Sequence, residues 1–161
     1  MKKFIVLSIV LLMLAGFVIT SSAQETMVVD LLAGQTSKVG TLTVAVVGDN
    51  LEVTYIMDPD EGWELLETHL YIGTSAPTKS APGQFPYGPE DVYDFLPGVY
   101  IIPLTDFGEL PVYIAAQAEV RKQIGVDPVT FELIYQEETA WAEGTDIRPG
   151  KNWAMYFEFE L

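Results

Sequence analysis

The chain has 161 residues, with 23 Asp and Glu against 8 Lys and Arg, one His and no Cys. That balance excludes disulfides, thiolate zinc sites and multi-histidine metal sites. It also argues against nucleic acid and anionic lipid as partners, since a net charge of −15 repels both.

Met1-Lys2-Lys3 forms a positive start, followed by an apolar run from Phe4 to Ile19 broken only by Ser8 and Gly16. Thr20-Ser21-Ser22-Ala23 closes it with small residues at the two positions a signal peptidase reads, Ser21 and Ala23. This is the pattern of a secretory signal peptide, residues 1–23. Sixteen apolar residues fall short of the ~20 that a spanning helix needs, so cleavage after Ala23 is expected rather than retention as an anchor. No Cys follows for lipidation, and the last residues read as a strand rather than a membrane tail. Residues 24–161 then carry 6 basic and 23 acidic side chains, a net charge of −17. A secreted or cell-surface location follows, with no membrane contact after processing.

Residues Met27 to Leu32 form a short apolar run ended by Ala33-Gly34-Gln35, read as an opening edge strand. Leu42, Val44 and Val46 alternate with Thr41, Thr43 and Ala45, and Leu51, Val53, Tyr55 and Met57 resume the alternation after Gly48-Asp49-Asn50. Two period-two runs around such a turn predict a hairpin. Asp58-Pro59-Asp60-Glu61-Gly62 is an acidic turn, after which Leu66, Thr68, Leu70 and Ile72 share one strand face and Glu67, His69 and Tyr71 the other. From 73 to 89 the chain is rich in Pro, Gly, Ser and Thr. Pro77, Pro82, Pro86 and Pro89 cannot donate to a ladder, so this segment is an ordered flap, and Phe85 and Tyr87 argue that it docks on the domain.

Val99 to Leu104 and Val112 to Val120 read as further strands, the second lining one face with Val112, Ile114, Ala116, Ala118 and Val120. Its small alanines call for a bulky neighbour, which Trp141 or Trp153 would supply. The pattern weakens between Arg121 and Tyr135, where 130–135 fits either a strand or a helical turn. Met155, Phe157, Phe159 and Leu161 alternate to the end. Short strands with turn signals between them, and no 3.6-residue stripe beyond the signal segment, predict an all-β fold. The expectation is a single antiparallel β-sandwich, immunoglobulin-like or jelly-roll-like.

Gly62 to Leu70, Pro82 to Tyr87, Ile114 to Ala118, Glu138 to Gly144 and Trp153 to Phe157 carry motifs G-W-x-L-x-E-T-H-L, P-G-Q-F-P-Y, I-A-A-x-A, E-T-A-W-A-x-G and W-A-x-Y-F. Together they resemble a family of uncharacterised secreted bacterial and archaeal β-sandwich proteins, over most of residues 24–161. The resemblance implies a cell-surface module, often within larger surface proteins, and no known reaction. It also implies a His where Gln117 stands here, so an imidazole at that position is not essential.

Several sites compete. His69 is the only imidazole, and a Ser/His/Asp hydrolase would need it as a general base. No G-x-S-x-G elbow accompanies it, so a structural His bonded to Glu67 or a loop carbonyl is the expected role. Asp58, Asp60 and Glu61 form one acidic cluster and Glu137, Glu138, Glu143 and Asp146 another; calcium is the ion such oxygens would take. Neither has EF-hand spacing, and the first reads equally as a solvated turn. Glu138 precedes an apolar run and is expected to be buried and paired with Arg148 or Lys151. Trp63, Trp141 and Trp153, with Phe85 and Tyr87, could stack on the apolar faces of sugar rings or serve as core anchors. Abundant acids make a glycosidase carboxylate pair impossible to single out. The expected function is a non-catalytic module recognising polysaccharide or another surface protein, with the flap and the Glu138–Trp153 segment at one end. The alternative is a filament or matrix subunit that donates Met27 to Leu32 to a neighbour's open edge.

Overall fold

The computed structural model describes residues 25–108 and 111–160. The signal segment 1–23 lies outside them. Nine strands form the fold among the described residues: β1 Thr26–Ala33, β2 Ser37–Val47, β3 Asn50–Met57, β4 Trp63–Gly73, β5 Val99–Pro103, β6 Val112–Val126, β7 Leu133–Ala142, β8 Thr145–Asp146 and β9 Met155–Phe159. Every strand pairing is antiparallel, so the all-β expectation holds.

The sheet folds into two layers. One has the order β5-β3-β2-β1; the other is centred on β6, with β4 along one edge and β7, then β9, along the other. A short pairing of Leu31–Ala33 with Ala140–Ala142 joins the layers on one side. On the other side the closure is made by side chains. The Tyr100 hydroxyl meets Thr68 Oγ1 at 2.7 Å, and the Tyr55 hydroxyl donates to the His69 carbonyl at 3.1 Å. Between the layers lies one core, with Leu42, Val44, Leu51, Val53 and Tyr100 from the first and Leu70, Ile114, Ala116, Ala118 and Val120 from the second. The two ladders force the alternation: every second residue of β2, β3 and β6 points inward, and those residues are the apolar ones.

The β2–β3 hairpin is as expected, Val47 pairing with Asn50 around Gly48 at φ +61. Four expectations change. β1 is an edge strand only in part, because β2 pairs along one side of it for its whole length and β7 pairs the other side at Leu31–Ala33. In β4 a bulge between Leu65 and Glu67 shifts the phase, so Trp63 and Leu65 join the inner side with Thr68, Leu70 and Ile72 while Leu66 is exposed. The bulky buried side chains sharing the core with Ala116 and Ala118 include Tyr55, Tyr100 and Phe159, whereas Trp141 packs with Ala115 on the opposite face of β6. Residues 121–135 are not irregular: β6 and β7 run on as a hairpin.

Candidate functional site

Two loops cover the outer face of the second layer. The flap descends along β4 and crosses its free edge, where Leu70 and Tyr87 exchange backbone bonds of 2.9 and 3.2 Å. That crossing separates the two flap aromatics. Tyr87 packs against the main core, while Phe85 lies on the outer face against Tyr71 and edge-on to Trp141, ring centroids 6.0 Å apart in both pairs. The segment 143–154 returns across the same face, stitched to the flap by a 2.6 Å bond from Asn152 Nδ2 to Ser80 Oγ. Gly144 allows its close approach, since a Cβ there would meet the Tyr156 carbonyl at 2.2 Å.

Between the loops lies a groove of about 240 Å³ lined by Ser80, Pro82, Glu119, Thr139, Trp141, Asn152, Trp153 and Ala154. Trp141 is only 4% exposed and forms its floor as a core anchor, not a platform. Trp153 is half-buried, packed beside Trp141 and Ala154. A polar chain runs along the outward positions of β4, β6 and β7 and reaches the groove at Glu119 and Thr139. Glu67 Oε1 lies 3.2 Å from His69 Nε2, and His69 Nδ1 lies 3.0 Å from Gln117 Oε1. Gln117 Nε2 donates to Glu119 Oε1 at 2.6 Å, which leaves its oxygen to accept from Nδ1–H. The Thr139 hydroxyl donates to both Glu119 oxygens, at 3.2 and 3.3 Å. Glu67 and Glu119 are register partners, a costly juxtaposition of like charges that this chain separates and satisfies. Gln117 has no solvent exposure, yet both ends of its amide are bonded.

The remaining expected site residues scatter. Trp63 packs on the inner core, with the Lys122 ammonium 5.9 Å from its ring centroid, and has no part in the groove. Asp58 Oδ1 accepts from the Asp60 amide at 3.0 Å, while Asp60 and Glu61 are exposed, the arrangement of a solvated turn. Among the described residues no group of three or more His, Asp or Glu is placed to hold a metal ion. Glu138 is half-buried but makes no ion pair with Arg148 or Lys151; it accepts a 3.3 Å bond from Gln136. Those two cations sit on the 143–154 loop, on the far face from Glu138, which register places opposite Val120 on the inward side. Glu119, Thr139 and Asn152 were not singled out from sequence. Strand parity puts Glu119 and Thr139 with Gln117 and Trp141, but only register brings them together.

No family model matches the chain, and no curated protein or solved structure matches it significantly. The groove's chemistry therefore carries the functional reading.

Proposed function

We propose that the protein is a secreted, non-catalytic recognition module whose groove binds a neutral polysaccharide. The observation that carries this reading is the half-buried Trp153 lining the groove beside a carboxylate, a hydroxyl and an amide, from Glu119, Thr139 and Asn152. A sugar ring offers an apolar C–H face for the indole and hydroxyl groups for the three polar side chains. The acidic surface disfavours anionic glycans, which narrows the class to uncharged ones. The family resemblance, a cell-surface module without a known reaction, agrees with this reading.

The imidazole supports the non-catalytic part. His69 is held between Gln117 and Glu67, and among the described residues no Ser or Thr hydroxyl is bonded to the ring.

Affinity electrophoresis through gels containing a neutral β-glucan, a mannan or an N-acetylhexosamine polymer tests the proposal. At least one polymer is expected to retard the protein. Trp153→Ala should weaken that retardation about tenfold or more, with the thermal midpoint little changed. Wild-type protein unretarded by all three, or retardation indifferent to Trp153→Ala and Glu119→Gln, would refute it.

A further inference from the structure

Register pairs Glu119 with Thr139 and Gln117 with Trp141, so all four side chains share the outward face of β6 and β7. Hydrogen-bond accounting then fixes what each polar atom can still do. A carboxylate has no proton to give, so Thr139 is the donor in both of its contacts with Glu119, 3.2 Å to Oε1 and 3.3 Å to Oε2. With its one proton spent, the Thr139 oxygen keeps only lone pairs. Glu119 Oε1 also receives a Gln117 Nε2 proton at 2.6 Å, whereas Oε2 has only its share of the Thr139 proton and retains acceptor capacity. No cation pairs with Glu119 among the described residues, so its full charge strengthens any bond made to Oε2.

Gln117 locks this arrangement from below. It has no solvent exposure, and its amide oxygen faces His69 Nδ1 at 3.0 Å. Turning the amide over would set that oxygen against the Glu119 carboxylate. The loop side of the groove is different. Asn152 Nδ2 gives one proton to Ser80 Oγ at 2.6 Å and keeps a second N–H and its carbonyl, while the Ser80 hydroxyl keeps its own proton. Asn152 and Ser80 can donate and accept; Glu119 and Thr139 can only accept.

We propose, resting on the reading that the groove holds a neutral sugar ring, that it selects rings presenting two adjacent free hydroxyls to Glu119 Oε2 and Thr139 Oγ1. These acceptors stand 3.3 Å apart, so neighbouring hydroxyls of one ring can reach one each at about 2.8 Å. An ether or ester oxygen in the same place sets lone pair against lone pair and leaves the acceptors without a donor. Rings methylated or acylated at those hydroxyls are therefore refused. Substituents facing Asn152 and Ser80 are tolerated, because that side has protons to offer.

Affinity electrophoresis with each of the three polymers, run beside its extensively O-methylated derivative, tests this. Any polymer that retards the protein is expected to lose about tenfold or more in apparent affinity on methylation. Bulk alone would also produce that loss, so two substitutions of matching shape supply the second arm. Glu119→Gln accepts from Gln117 through its oxygen and puts an amide donor where Oε2 stood. Thr139→Val removes the other acceptor. Each should weaken retention by the unmethylated polymer and shrink the gap between the two forms about threefold or more. Equal retardation by both forms, or a gap that both substitutions leave unchanged, would overturn selection by free hydroxyls while the sugar reading stands. Retardation by none of the polymers would end both.

Discussion

Tyr100 is where the two layers meet without a backbone ladder. Its buried hydroxyl touches Thr68 Oγ1 at 2.7 Å, the Thr68 carbonyl at 3.1 Å and the Gly88 carbonyl at 3.2 Å, tying β5 to β4 and to the end of the flap. Tyr100→Phe leaves those groups unpaired and should cost about 1–3 kcal/mol in urea unfolding. Tyr55 stands beside it, ring centroids 6.3 Å apart. Burial, and secondarily the neighbouring Tyr100 phenol, pushes the Tyr55 hydroxyl well above its ordinary pKa; burial also raises Tyr100. Raised folded values mean that the unfolded chain releases these protons first. The contribution to stability is therefore complete below about pH 10 and declines as the pH rises above it. Unfolding free energy measured from pH 8 to 11 should fall over the upper part of that range, and less steeply in Tyr55→Phe.

At the scale of the element, β4 shows how one residue redirects a strand. Alternation read from Ile72 back through Leu70 and Thr68 places Leu66 inside. The bulge breaks that phase, so Leu65 packs on the core and Leu66 is 42% exposed. Leu65→Ala should cost about 2 kcal/mol, whereas Leu66→Ala should stay within about 0.5 kcal/mol; the pair of chemical denaturation curves checks it. A bulge arises from how two strands pair, so β4's own residues do not announce it. The same applies to the flap. Pro77, Pro82, Pro86 and Pro89 marked it as a covering loop, but its crossing of the β4 edge sends Phe85 to one face and Tyr87 to the other, although they are two residues apart.

Over the whole molecule, 23 acidic against 8 basic residues produce self-repulsion that the compact state concentrates. Only two side-chain ion pairs are present among the described residues, Lys38–Asp30 and Arg121–Glu64, and His69–Glu67 is a third only when the imidazole is protonated. Screening should therefore help more than it harms. The thermal midpoint is expected to rise by a few degrees between about 10 and 500 mM NaCl, which differential scanning calorimetry would detect. A fall would mean that attractive pairs outweigh the repulsion.

Alternation of period two and the placing of Gly, Pro and Asp settled by themselves that this chain forms antiparallel strands, where the β2–β3 hairpin turns, and that 73–89 stays off the ladders. These are local consequences of backbone geometry and side-chain parity. The groove is not local. Glu119, Thr139 and Trp153 are brought together by the register of β6 with β7 and by the path of the 143–154 loop, neither of which any short stretch encodes. Burial of Trp141 and exposure of Leu66 were likewise decided by which strand lies beside which, because a face is inside only when another element covers it.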